Sequence, residues 1–145
     1  MAKRMSYQQL DPLVTEAVKK EYPEMEVEVM PTMGIKAPER TYGEYYPDKR
    51  WLIVMLRGST GYLDEALAVA AHELGHHEQQ LDIEAKKIIP PPTEPDAYLR
   101  GIKFAQKWGI LPAYARDLIN RVNYYPQQFP KEVERVIAHI KSLLS

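Results

Sequence analysis

The sequence predicts an α+β fold in which a short, twisted, mostly antiparallel sheet packs on several helices, and three observations predict it. Residues 41–57 read as two strand-like runs around Pro47-Asp48-Lys49-Arg50, a turn composition. Residues 66–77 form one long run of helix-favouring apolar residues that ends in His72-Glu73-Leu74-Gly75-His76-His77. From Glu94 onward the chain is a series of helical stripes punctuated by Gly and Pro. With 145 residues, 45% of them hydrophobic, the chain suits a single domain over 1–145 with a core that needs no staples.

Each element has a local reason. Asp11 followed by Pro12 reads as a cap and first helical position, with Leu13, Val14, Ala17 and Val18 on one face, so a helix is expected over about Asp11–Lys20. Glu24–Met30 alternates acidic and apolar residues, the period of a strand whose Glu face is solvated. Residues 31–40 hold two Pro and a Gly and read as a loop. In the hairpin that follows, Trp51–Leu56 is apolar on both faces and therefore central, whereas Tyr42–Tyr46 is mixed and belongs at the sheet edge. Gly58-Ser59-Thr60-Gly61 ends the second strand, and a helix is expected from about Tyr62 to Leu81, with Asp64 and Glu65 in its first turn. After the Pro90–Pro92 crossover, Thr93 caps a helix beginning near Glu94 and ending before Gly109. Two more helices are expected, over Pro112–Val122 and Pro130–Leu144.

Composition excludes several functions. Nineteen basic and 20 acidic residues are mixed along the chain, for a net charge of -1, so no basic face points to nucleic acid or an anionic membrane. The polar start, Met1–Leu10, and the lack of any long apolar run lead us to expect a cytoplasmic protein and no membrane partner. A monomer is expected. There is no Cys, so any metal must be held by imidazole and carboxylate.

His72 and His76 stand four apart, one above the other on a helix, and can offer two imidazole nitrogens to one cation while Glu73 leans over the same point. A hydrolytic zinc site needs a third protein ligand and an open fourth position. Asp82, six residues past His76, is turned by about 240° on a continuing helix, and His77 by about 100°. Both leave the metal face: Asp82, like Glu78, is expected to be solvated, and His77 is expected on the surface or in support of a ligand. His139 lies far off in the last helix. Glu94 opens a separate helix after a crossover that allows it to return against the first.

His72-Glu73-x-x-His76 with a downstream Glu94-x-x-Ala97 resembles the gluzincin zinc peptidases. The short chain is similar to their minimal members, the minigluzincins, with kinship to the ImmA/IrrE-type peptidases. The order of hairpin, Gly-rich break and motif helix is similar too, and the resemblance covers about 41–108. It implies a zincin-like domain that holds Zn2+ through His72, His76 and Glu94. It also implies an endopeptidase in which Glu73 is general base and then proton donor. A peptide or protein substrate would lie extended along the edge strand at Tyr42, Gly43, Glu44 and Tyr45. In larger gluzincins an Asp follows the third ligand by four residues; here that place is Tyr98, so support for a zinc-binding His must come from elsewhere, and Asp96 is the alternative third ligand. The oxyanion donor is open among Tyr98, Arg100, Tyr114, Arg121 and His139. The minimal relatives also raise latency through a terminal segment. Pro130–Leu144 is the candidate latch, although its apolar stripe favours a core helix. The alternative to an enzyme is a non-catalytic regulatory or binding module with a structural zinc site. A DNA-linked SprT-type protease fits less well, since those chains use a third His and carry basic surface.

Overall fold

The longest helix, α2 (Leu63–Glu84), is buried along its whole run from Ala66 to Gly75, and the other elements are arranged around it. The structure is a computed structural model that describes residues 3–32, 41–87, 93–129 and 131–144. The expected 31–40 loop therefore falls mostly outside the described residues. The Pro90–Pro92 crossover and the start of the last helix at Pro130 also fall outside them.

The chain opens with β1 (Arg4–Ser6) and α1 (Tyr7–Glu21). This helix starts four residues before the expected Asp11. Ser6 caps it through a reciprocal pair, Gln9 N donating to Ser6 Oγ (3.2 Å) and Ser6 N donating to Gln9 Oε1 (3.0 Å). Pro12 lies inside the helix rather than at its start. Asp11, expected as the cap, instead accepts the Val29 N–H at 2.8 Å and ties the helix to the next strand.

That strand, β2 (Glu26–Met30), precedes β3 (Tyr42–Tyr46), a one-turn 3-10 segment over Pro47–Lys49, and β4 (Trp51–Met55). The order is β2-β4-β3. The apolar Trp51–Met55 run is central and β3 is at the edge, as the hydrophobic patterns imply. The hairpin is in register from Tyr42 opposite Met55 to Tyr46 opposite Trp51. β2 pairs with β4 in parallel, a pairing that the sequence did not reveal. A second small sheet joins β1 antiparallel to β5 (Thr60–Tyr62), where only a strand break was expected. Two of the three strand pairings among the described residues are thus antiparallel.

Three helices complete the fold: α3 (Glu94–Lys107), α4 (Leu111–Tyr124) and α5 (Val133–Leu144). Thr93 caps α3, accepting from Asp96 N at 3.3 Å. α2 and α3 touch almost backbone to backbone: a Cβ on Gly75 would lie 2.8 Å from the Ala97 carbonyl carbon, so only glycine permits this approach. α5 packs on α3 and α4 through Val133, Val136 and Ile140, the core arrangement its stripe favours, and His139 is on its exposed side. No helix among the described residues is long and apolar enough to cross a membrane.

Candidate metal centre

The close α2–α3 contact decides the geometry of the site. Because the helices run past each other in opposite directions, the first residue of α3 arrives opposite the end of the His-Glu-x-x-His turn. Glu94 Oε2 lies 2.6 Å from His72 Nε2 and 3.2 Å from His76 Nε2. One ligand atom from each of the three residues lies within 4.8 Å of the others, the spread a single cation requires. In a tetrahedral zinc site with bonds near 2.0–2.1 Å, ligand atoms are about 3.4 Å apart, so small side-chain rotations bring this set to that spacing.

The chemistry of the donor set fits such an ion. Gln79 Nε2 donates to the Thr93 carbonyl (3.1 Å) and to Asp96 Oδ2 (2.8 Å), which leaves its Oε1 to accept from His76 Nδ1 at 2.9 Å. With that proton on Nδ1, the Nε2 lone pair of His76 faces the Glu94 carboxylate. Two acceptors pointing at one another are held together by a positive charge between them, either a proton on His76 or a metal ion. The pKa directions agree. Burial pulls His76 down, yet the Glu94 hydrogen bond and the Glu73 charge hold it above the ordinary imidazole value. Burial would raise Glu94, but hydrogen bonds from His72 and His76 hold it far below the usual carboxylate range. His72, wholly buried, is pushed down to about 3 and is neutral, the form that binds metal. Its ring stacks on Tyr98 with centroids 3.8 Å apart, and its buried Nδ1 has no hydrogen-bond partner.

Glu73 is 3% exposed, and burial pushes its carboxyl up to about 7. It packs under the edge strand: a Cβ on Gly43 would lie 2.6 Å from Val69 Cγ1 and 2.8 Å from Glu73 Cγ. Any larger residue at 43 would displace the carboxyl. A cleft of about 480 Å³ passes over Glu73, His76, Glu94 and Arg121, with Gly43, Glu44 and Tyr45 on its other wall. The outer edge of β3 carries no strand among the described residues. Tyr42, expected beside these wall residues, is not part of the cleft lining. Tyr45 has a second duty, its hydroxyl lying 2.6 Å from His77 Nδ1.

Among the residues expected to supply an oxyanion donor, geometry separates Arg121 from the rest. Its Nη1 is 3.3 Å from Glu94 Oε2 and 3.4 Å from His72 Nε2, and its buried Nε is unpaired. Tyr98 is fully buried and donates to Asp117 at 2.5 Å, while Tyr114 donates to the Tyr98 carbonyl at 2.6 Å. Arg100 points away, to Asp96 and Asp82, and His139 is on the exposed side of α5. Asp96 bonds Gln79 and Arg100 and lies outside the converging set.

Three expectations need correction. Asp82 and Glu78 are not simply solvated: their side chains are 22% exposed because Arg100 arrives from α3 to pair with both. His77 is not a surface group but fully buried, between Tyr45 and Glu24, with its Nε2 3.2 Å from Glu24 Oε1. Glu24, expected within the strand, precedes it; its side chain is solvated as expected, 49% exposed, and serves as that partner. The role of Gln79 was missed; its one sequence signal is its position three residues past His76, on the same helix face.

No protein-family model matches this chain, and neither a curated protein nor a solved structure is found to be similar to it.

Proposed function

We propose that this protein is a zinc-dependent endopeptidase, with zinc held by His72, His76 and Glu94. The observation that carries the proposal is the convergence of two imidazoles and a carboxylate beside a buried carboxylic acid, on the floor of a cleft walled by an edge strand. When bound, zinc supplies Lewis acidity and brings the pKa of a coordinated water toward neutrality.

The chain's own residues supply the rest. The substrate adds to the open edge of β3 as an extended strand, its backbone hydrogen bonds fixing the scissile carbonyl above Glu73. Glu73, poised near neutrality by its burial, takes a proton from the attacking water and delivers it to the leaving amine. Arg121 donates to the carbonyl oxygen as negative charge develops there. Gln79 holds the His76 ring in the tautomer that turns Nε2 to the cleft.

The test pairs metal analysis with hydrolysis of an unfolded protein, with and without a chelator. Glu73→Gln is expected to retain zinc and to lose about 10³-fold in rate. A rate unchanged by that substitution, or a zinc-loaded wild type that hydrolyses nothing, overturns the proposal, the second result in favour of a structural zinc site in a binding module.

A further inference from the structure

Past Thr41 the cleft has a neighbour, a hollow of about 300 Å³ outside the metal centre. Its walls carry three guanidinium groups from three parts of the chain: Arg4 on β1, Arg57 between β4 and β5, and Arg116 on α4. Two acids share the walls. Glu65 is exposed and lies in the field of Arg116 and Arg4, and Asp117 accepts from the Tyr98 hydroxyl at 2.5 Å. Arg4 is held without a carboxylate partner among the described residues, its Nη1 3.3 Å from Thr60 Oγ1 and its guanidinium 5.0 Å from the centre of the Tyr62 ring. Arg116 has only a long contact to Asp64, 3.5 Å, and its side chain is 61% exposed. Three guanidinium groups against two carboxylates leave the lining with an excess of positive charge.

Its position relates it to the cleft. Val69, in its wall, stands one helical turn before Glu73 on α2, and Asp117 one turn before Arg121 on α4. Thr41 comes just before β3. Along all three elements, then, the hollow is the next station beyond the metal centre. A four-residue step on a helix is about 6 Å, the length of about two residues of extended peptide.

Resting on the peptidase reading above, we infer that this hollow is a subsite for a carboxylate of the bound peptide, an Asp or Glu side chain or a free C-terminus, held by Arg4, Arg57 and Arg116. A peptide lying along β3 places a side chain or its terminus there within about two residues of the scissile bond. The paired N–H donors of guanidinium match a carboxylate's two oxygens.

The test uses the full-length, zinc-loaded Glu73→Gln protein, so that binding is read without turnover. Calorimetry compares alanine-rich octapeptides carrying one Glu or one Gln at each position, and the same peptides with a free or an amidated C-terminus. Glu at one position, or the free terminus, is expected to bind about tenfold more tightly than its neutral counterpart. The advantage shrinks in high salt and is lost in Arg4→Gln combined with Arg57→Gln. Arg116→Gln, at a largely exposed side chain where folding is not at stake, is expected to reduce it in part. The Glu and free-terminus arms distinguish the two sources of the carboxylate. Because binding is measured directly, a wild type without hydrolytic activity would defeat the peptidase reading while this preference could still be read. Equal affinity for charged and neutral peptides, or a preference that survives the arginine substitutions, overturns the inference.

Discussion

Glu78, Asp82, Asp96 and Arg100 bridge α2 and α3, and so do His72, His76 and Glu94, yet the two clusters solve the problem of polar groups at a helix contact differently. In the first, the Arg100 guanidinium donates from Nε to Asp96 (2.8 Å) and from Nη1 to Asp82 (2.7 Å), with Glu78 at 3.5 Å and Lys103 also on Glu78. Burial works against the Arg100 charge, but the bonds to Asp82 and Asp96 raise its pKa all the same. Cations answer anions within the chain. In the second cluster, lone pairs face one another, and the cationic neighbour, Arg121, reaches Glu94 only at 3.3 Å. The lesson is that a self-neutralised cluster holds helices together, whereas a set of converging acceptors leaves a place for one more positive charge, a proton on His76 or a metal ion.

Loss of one member from each cluster gives the largest expected contrast. Glu94→Gln removes a ligand charge, and zinc affinity is expected to fall at least about 100-fold, the upper end of what loss of a supporting residue costs. The amide oxygen still accepts hydrogen bonds, so the metal-free protein should lose only about 1 kcal/mol in denaturant unfolding. Arg100→Met should do the reverse. Its partners are left as partly buried carboxylates, at a cost of about 2 kcal/mol in metal-free stability, while zinc affinity changes less than about tenfold. Equal effects of the two substitutions on metal affinity would erase the distinction between the clusters.

The comparison sharpens with pH. In the metal-free protein the folded Glu73 carboxyl, raised by burial to about 7, holds its proton more tightly than the unfolded chain does, whose value is the ordinary 4.5. Its favourable contribution is therefore complete below pH 4.5 and is lost as pH rises through about 7. Glu73→Gln mimics the neutral form and lacks this slope. At pH 8 the variant should be the more stable of the two by up to about 3 kcal/mol, and at pH 4 the two should match, as read from urea unfolding of chelated samples. His76, also raised, adds a loss of the same sign, smaller in Glu73→Gln because the Glu73 charge is one of its causes. Parallel stability curves for the two proteins would show that burying Glu73 imposes no penalty on its charge.

Much of this was legible because its causes are local. Four-residue spacing put His72 and His76 on one face, and the Thr93 cap with Pro95 fixed where α3 begins, hence where Glu94 enters. The hairpin followed from two patterned runs around a turn. What the sequence hid depends on distant partners. β1 and β5 are three residues each and find one another across more than fifty positions, too short for any periodicity to announce them. The start of α1 misled because Asp11-Pro12 imitates a helix start, while the true signal was the Ser6-x-x-Gln9 box upstream. Glu78 and Asp82 look like a solvated helix face until Arg100 arrives from another helix. Likewise, Arg121 stood among five equal donors until α4 was placed beside Glu94.

Gln79 joins the two clusters, and it offers the smallest but most discriminating measurement. It accepts from His76 and donates to Asp96, which in turn accepts from Arg100, so the ion-paired cluster braces the imidazole through one amide. The neutral amide of Gln79, not a carboxylate, is the group that supports His76, and Tyr98, four residues past Glu94, bonds Asp117 instead. Gln79→Leu keeps the side chain's bulk and its helix propensity but leaves His76 Nδ1 without an acceptor. Zinc affinity is expected to fall by about tenfold, the lower end of the range for such supporting partners. Gln79→Glu restores the acceptor for His76 but loses the donor that faces Asp96 and the Thr93 carbonyl, so it should recover only part of that affinity. Nitrogen-15 NMR of the His76 ring supplies the readout that a merely structural role would not move: the Nδ1-protonated tautomer should dominate in the zinc-loaded wild type and in Gln79→Glu, and should lose its Nδ1 hydrogen-bond signature in Gln79→Leu. An unchanged ring spectrum together with unchanged zinc affinity in Gln79→Leu would mean that the two clusters are neighbours without being coupled.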